Sequence, residues 1–460
     1  MTRATTRATT TAAASAVRAW TRYPEYRVSG VEWIGRLPAH WELKPLKYVV
    51  FMNPDVLTEN TDPEYELAYL DIGNIDSTGN IADPELLLFA DAPSRARKRV
   101  ADGDTLLSTV RTYLKAIAFI ERPIENLIAS TGFAVLRPTE SVWPRFLYYL
   151  TQSDHFIQAV VAHSEGVSYP AINSSTLGRL PVWLPDQPEQ RAIAGFLDGE
   201  TARIDALITK KERLVDLLQE KRTALITNAV TKGLDPDVPM KDSGVAWLGE
   251  VPAHWQAGRI RNAASSVQTG PFGSQLHADD YVQDAKPVVN PTQLQNGRIL
   301  PDWNATVDDV TANRLSRHLL KQGDIVIARR GEMGRAAIVT TIEVGWLCGT
   351  GSARIRPTPN TSPAFLNWYL ATRVARDWLS VESVGTTMEN LNRSILSRLP
   401  LAIPPSHEQA SIAAFLDIET GKIDTLVSRV REHVQRLQEF RTALISAAVT
   451  GQIDVGEHTT

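Results

Sequence analysis

Apolar residues recur at Ile204, Leu207, Leu214, Leu218 and Leu225 in steps of three, four or seven, the spacing that keeps one face of a helix apolar. No proline falls within residues 189–230, and neither glycine nor proline within 201–230, so the pattern predicts one long amphipathic helix. About forty residues at ~1.5 Å each span roughly 60 Å, far beyond the usual helix of a compact domain. The pattern returns at Ile423, Leu426, Val430, Leu437, Phe440 and Leu444, with Gly421 interrupting this copy near its start. Two such helices in one chain most simply pack together along these residues. Lys211, Lys221 and His433 then become polar seam positions that fix pairing and register at some cost in stability. The alternative, two shorter core helices per half, needs a break that residues 201–230 do not offer.

Ahead of each helical stretch lies a body with a different rhythm. Short β-branched and apolar runs at 105–110, 116–120, 133–136, 325–328 and 336–339 predict strands, and 143–152 and 363–372 predict short helices. Both bodies therefore read as mixed α/β. Proline-bearing stretches at 180–188 and 399–405 separate each body from its long helix. The first twenty residues, rich in Thr and Ala with three arginines, are expected to be a disordered tail, with a DNA-reaching basic arm as the alternative.

The chain is a duplication. Ser29-Gly30-Val31-Glu32-Trp33-Ile34-Gly35 and Leu37-Pro38-Ala39-His40-Trp41 return 214 positions later, Ser29 as Ser243 and His40 as His254. Glu189-Gln190, Phe196-Leu197-Asp198, Glu200-Thr201 and Ile204-Asp205 return 219 positions later, from Glu408 to Asp424. Between these borders the halves share mainly Gly103-Asp104 with Gly323-Asp324, Arg137-Pro138-Thr139 with Arg356-Pro357-Thr358, and Leu180-Pro181 with Leu399-Pro400. Shared parts do one job twice; divergent parts do two different jobs.

Composition narrows the class. With 460 residues, 43% hydrophobic and 22% charged, the chain suits two to four folded, water-soluble domains. It has no apolar run of eighteen residues and no secretory leader pattern, which points to the cytosol. A single cysteine, Cys348, supports neither a disulfide framework nor a cysteine-based zinc site. No phosphate-binding G-x-x-x-x-G-K-[ST] loop and no H-E-x-x-H pair occur, and Asn53-Pro54-Asp55 and Asn290-Pro291-Thr292 do not supply a methyltransferase's Asn/Asp-Pro-Pro-aromatic loop. No catalytic residues and no metal ligands are therefore assigned. His40 and His254, inside the repeated border, read as packed structural histidines.

The net charge is −4, yet two matched windows are basic. The first holds Arg95, Arg97, Lys98, Arg99, Arg111, Lys115 and Arg122; the second holds Arg314, Arg317, Lys321, Arg329, Arg330 and Arg335. Such clusters neutralise phosphates while arginine and amide side chains read base edges, and the competing reading is a solvated basic face. Arg97, Lys98, Arg99, Arg111 and Lys115 of the first body, and Arg329, Arg330 and Arg335 of the second, are the expected DNA-facing residues. Ser274 and Gln275, in the glycine-rich segment Thr269-Gly270-Pro271-Phe272-Gly273-Ser274-Gln275, are added as candidate phosphate or base contacts, a plain tight turn being the alternative.

The repeated borders, from Tyr23-Pro24-Glu25-Tyr26 through Pro38-Ala39-His40-Trp41 to Phe196-Leu197-Asp198, closely resemble the specificity subunit of type I restriction-modification systems. The resemblance covers nearly the whole chain after residue 20. It implies two globular α/β target-recognition domains in a pseudo-two-fold arrangement, joined by two long antiparallel helices forming a coiled coil. The expected division is a tail over 1–20, the first recognition domain over 21–185, a central spacer helix over 186–234, the second domain over 235–404, a C-terminal helix over 405–455, and a tail over 456–460. It further implies a non-catalytic subunit that binds double-stranded DNA at a bipartite, asymmetric target and docks two modification (methyltransferase) subunits and restriction (translocase/nuclease) subunits. S-adenosylmethionine, ATP and Mg belong on those partners, with no cofactor on this chain. Two alternatives stand beside this: a catalytic domain fused to recognition domains, for which the duplication leaves no room, and a helical scaffold that does not bind DNA.

Overall fold

The structure, a computed structural model, describes residues 21–166, 170–295, 297–331, 333–383 and 391–456; the tail expected over 1–20 lies outside them, as do residues 457–460 of the tail expected over 456–460. The chain falls into two compact units, and the division cuts both long helices. One unit runs up to Lys210 and resumes at His433; the other spans Lys211–Glu432. Each unit thus holds one body with a segment of each long helix.

In the first body, Val50–Met52, Phe133–Pro138, Thr105–Ser108 and Ile117–Phe119 form an antiparallel sheet in that spatial order. Side chains alternate across it. Leu107, Ala134 and Leu136 face a core shared with the helices Pro144–Gln152 and Asp154–Ala162, while Leu106, Phe133 and Val135 face Ala68, Leu70 and Ala129 of a second sheet. Burial on both faces explains why these strands read as unbroken apolar runs. The second sheet, ordered Glu85–Leu88, Glu66–Leu70, Leu127–Ser130 and Ala96–Arg99, contains one parallel pair, Glu66–Leu70 with Leu127–Ser130. Pro181–Leu184 pairs with Glu42–Pro45, so the body closes on its own beginning immediately before the long helix.

The second body repeats the plan. Ala264–Thr269, Ser352–Pro357, Ile325–Ala328 and Ala336–Ile338 make the antiparallel sheet, with Ile325, Ile327, Ala353 and Ile355 on one face and Val326 and Ala328 on the other. Its companion sheet also has one parallel pair, Lys286–Val289 with Leu347–Cys348. Gln256–Arg259 pairs with Pro400–Ile403 before the second long helix.

The long helices are Gln187–Lys232 and Ser406–Val449. In the unit of the first body, Ile193, Ala194 and Leu197 share a core with Ala448 and Val449, and Asp205 accepts from Arg441 Nε at 2.9 Å. In the other unit, Ile226, Ala229 and Val230 share a core with Ile412 and Leu416, while Val215 lies with Ile423 and Val427. Early residues of one helix meet late residues of the other, so the segments within each unit run antiparallel.

Three details differ from the sequence reading. Gly421 does not interrupt the second helix, which passes through it with open space where a side chain would stand. The propensity cost of about 1 kcal/mol is outweighed by packing at Leu416 and Ile423 on either side. Second, the helix stops at Val449, short of 455, because Gly451 turns left-handed at φ +68° against Pro38 and Trp41; Gly233 ends the first helix the same way at φ +82°, against Trp255. Residues beyond the turn return to the first body, where Ile453 and Val455 are buried and Asp454 N donates to Thr21 O at 2.8 Å.

The third concerns the seam. Ile204, Ile423 and Leu444 are buried, and Leu218, Leu225, Val430 and Leu437 pack against the cores. Leu207, Leu214, Leu426 and Phe440 are instead 43–47% exposed. Val215 and Val427 take the inward positions beside Leu214 and Leu426. A step of eleven from Ile204 to Val215 returns to the same helix face, whereas the step of ten to Leu214 misses it by most of a quarter turn.

Candidate nucleic-acid interface

The repeated residues hold the bodies to the helices. Glu189, in the first turn of the first long helix, lies 2.9 Å from His40 Nε2 and accepts from the Trp41 indole Nε1 at 3.1 Å. Glu408 does the same for His254, at 2.7 Å, and Trp255, at 2.9 Å. The two borders recur together because they touch. Gln190 takes Trp143 N at 2.7 Å and donates to Ser141 O and Pro185 O; Gln409 takes Ser362 N at 2.7 Å and donates to Asn360 O and Pro404 O. Each ties the loop before a short helix to the start of a long one.

The few residues shared inside the bodies are also structural. Arg137 grips buried Asp104 with Nε and Nη2 at 2.9 and 2.8 Å, and Arg356 grips buried Asp324 at 2.7 and 2.8 Å. The carboxylates further accept Ala101 N and Lys321 N, both at 2.8 Å. This paired geometry raises the affinity of both guanidinium groups for their protons. Gly-Asp and Arg-Pro-Thr therefore recur as the two ends of one buried ion pair.

What remains for reading a ligand is the divergent surface. On the edge strand Ala96–Arg99 the side chains alternate. Arg97 lies over the Phe89 ring at 4.8 Å, and Arg99 lies over Tyr65 at 5.2 Å while donating to its hydroxyl at 3.1 Å. Both guanidinium groups are held on aromatic faces and partly open to solvent. Lys98 points the other way. Its ammonium donates to Thr131 O and Phe133 O, and burial pushes its pKa down to about 8. It is bound to backbone and not presented outward. Arg111 and Lys115 are exposed at the two ends of a short turn after Thr105–Ser108, Lys115 reaching Asp154 at 3.3 Å.

In the second body Arg329 departs most from expectation. Only 6% exposed, it donates to Leu391 O at 2.6 Å and Thr350 O at 3.1 Å, and its burial lowers its pKa. Its charge organises two loops from inside. Arg330, next along the chain, is exposed, and Arg335 is half-buried with its Nε lacking a hydrogen-bond partner among the described residues. Ser274 is exposed, whereas Gln275 turns back on its own loop, its side-chain oxygen accepting Phe272 N at 3.2 Å. Arg95 and Arg314 are tied to Asp71 and Asp280, both at 2.8 Å. The sequence reading missed Tyr113 and Leu114, 54% and 44% exposed between Arg111 and Lys115. Two large apolar residues bracketed by cations, between the strands predicted at 105–110 and 116–120, were the available signal.

Among the described residues no group of three or more potential metal ligands lies together, and no helix is long and apolar enough to cross a membrane. Residues 268–433 match the family model of the type I restriction modification DNA specificity domain. The chain is 22% identical over 444 residues to a putative type I restriction enzyme MjaX specificity subunit of Methanocaldococcus jannaschii, covering 92% of this chain and 96% of the relative. Its fold is that of a chain from a solved structure on complex assembly and conformational transition of the type I R-M system (TM-score 0.72, 23% identity, 91% of this chain and 99% of the other). It also matches the HsdS subunit from Thermoanaerobacter tengcongensis, at TM-score 0.52 and 22% identity over 91% and 98% of the two chains. The mixed α/β duplication with long helices thus shares its fold with these solved chains, residues 268–433 match the type I restriction modification DNA specificity domain, and the chain resembles the MjaX specificity subunit along most of its length.

Proposed function

We propose that this chain is the sequence-reading subunit of a type I restriction-modification complex, with each body reading one part of an interrupted, asymmetric duplex target. The observation that carries the reading is the division of labour within the chain. Residues common to both halves are used in body-to-helix contacts and buried ion pairs, while the outward cations sit on surfaces that differ between the bodies. Unlike surfaces on a duplicated frame suit unlike half-sites. The domain match and the full-length relative support the same assignment. In this reading the long helices set the spacer and hold two modification subunits, to which restriction subunits add. Methyl transfer with S-adenosylmethionine and ATP- and Mg-dependent translocation and cleavage belong to those partners, and the chain itself performs no chemistry.

The test is methylation mapping across the genome of cells carrying this gene with its partner methyltransferase, against cells lacking it. A bipartite, asymmetric methylated motif that disappears on deletion is the expected result. With expression and methyltransferase activity confirmed, no motif at all would overturn the assignment. Replacing residues 28–185 by another body should change one half of the motif only; a change in both halves would refute the one-body, one-half division.

A further inference from the structure

One turn of the first body, over 111–115, carries side chains at two backbone positions where its counterpart in the second carries glycine. Both turns join the same two strands of the antiparallel sheet. Leu107 pairs with Ile117 at the end of the ladder in the first body, and Ile327 pairs with Ala336 in the second. Arg111 stands four residues after Leu107 and Lys115 two before Ile117; Gly331 stands four after Ile327 and Gly334 two before Ala336. All four take left-handed backbone, at φ +50°, +54°, +77° and +79°. Glycine does so without steric cost, whereas an arginine or lysine presses its Cβ against its own backbone. Nothing stands within 4 Å of the place where a Gly331 Cβ would be, so crowding does not dictate glycine there; Gly334 is additionally pressed by Leu370 O at 2.8 Å. The first body accepts strain at two positions where its sister has none.

The strained turn is firmly held. Thr112 is buried with its Oγ1 3.0 Å from Ser164 Oγ, and Arg111 N donates to Pro170 O at 2.8 Å. What it holds outward is Tyr113 and Leu114, with the cations at either end. Strain of this kind persists where the surroundings impose it and the side chains are put to use.

Resting on the reading that the bodies recognise DNA, we propose that the turn over 111–115 is the element of the first body that enters a groove of its half-site. Arg111 and Lys115 hold phosphates on either side, and Tyr113 and Leu114 meet the base edges between them. The left-handed positions set the two cations apart and push the apolar tip forward.

Fold and function therefore respond oppositely to the same change. Arg111→Gly and Lys115→Gly, made in the full chain assembled with its modification subunits, relieve strain and remove charge. They are expected to melt no lower than wild type and up to about 4 °C higher per residue. Target-duplex affinity should fall, and the slope of log affinity on log salt should become shallower by about 0.9 for each phosphate no longer neutralised. Tyr113→Ser with Leu114→Ser should keep the salt slope and relax the methylated motif in one half only. Glycine variants with unchanged affinity and slope, or with a lowered melting temperature, would overturn the proposal, as would relaxation of both halves by the Tyr113 and Leu114 changes. A wild-type complex that binds no specific duplex sinks the underlying reading; a competent wild type with indifferent variants sinks only the role of the turn.

Discussion

Arg441 of the second long helix donates to Asp205 of the first at 2.9 Å. The contact has a twin, for Arg222 of the first helix donates to Asp424 of the second at 3.0 Å. Asp205 and Asp424 are repeat equivalents, as are Arg222 and Arg441, each pair 219 residues apart. One duplicated aspartate and one duplicated arginine thus generate two interhelical ion pairs, one within each unit. The environments differ, since the Arg441 side chain is 14% exposed and the Arg222 side chain 35%. Arg441→Ala should cost about 1 kcal/mol and Arg222→Ala less than half of that. The double replacement of Arg441 and Asp205 by alanine should cost less than the sum of the singles, read as thermal shifts, and strict additivity would show that the contact contributes nothing.

Glu189 and Glu408 offer a second test, because each satisfies a buried indole. Trp41 and Trp255 are almost fully buried, and their Nε1 groups donate to these carboxylates. Glu189→Ala leaves the Trp41 donor without its partner, at a cost of about 1–3 kcal/mol. Glu189→Gln keeps an acceptor oxygen and should recover most of the loss. Thermal unfolding followed by tryptophan fluorescence checks this, and equal losses in both variants would assign the effect to charge.

How much of this was legible beforehand follows from where each signal lives. The long helices were, because an apolar stripe without proline leaves little choice, yet Leu207, Leu214, Leu426 and Phe440 were placed inward and lie outward. Helical periodicity gives the stripe, and only the partner's position decides which edge of it is covered. The duplication was legible too, and its meaning became clear once Glu189 met Trp41 and Asp104 met Arg137 across long stretches of chain. Charge patterning found the basic windows but could not separate Arg330, which is exposed, from adjacent Arg329, which is buried under Leu391 O. In strands and tight turns neighbouring side chains point in opposite directions, so a cluster in sequence is divided between surface and interior.

Lys98 turns that division into a pH dependence. Its folded pKa, about 8, lies below the value near 10.4 of a free lysine, so folding disfavours the charged form. Below about pH 8 both states are protonated and the folded state bears the full penalty. Between about 8 and 10.4 the unfolded chain binds more protons, so this lysine's contribution to stability rises with pH, and above that range the penalty is gone. Lys98→Met removes the titrating ammonium. The wild-type melting temperature minus that of the variant should therefore increase from pH 7 to pH 9.5, with the other titrating groups cancelling in the difference. A flat difference would mean that the ammonium is solvated when folded.

The Asp104–Arg137 pair makes the last prediction, and the one that best separates a stabilising contact from a costly but necessary one. Asp104 is fully buried, and both its oxygens are occupied by Arg137, with Ala101 N as a further donor to one of them. Removing one partner strands the other, so Arg137→Met, which leaves a carboxylate in a dry site, should cost about 3–5 kcal/mol. Replacing both by apolar residues, Asp104→Leu with Arg137→Met, also removes both desolvation costs and should lose far less than the sum of the singles. Part of the loss will remain, since Ala101 N then has no carboxylate to donate to. Asp324 and Arg356 should behave alike in the second body. Melting temperatures of the four proteins in each set decide the matter: strict additivity would mean that the two side chains act independently, a double variant as unstable as the worse single would mean that the pair outperforms its apolar replacement, and a near-wild-type double would mean that the ion pair specifies how the strands meet more than how strongly they hold.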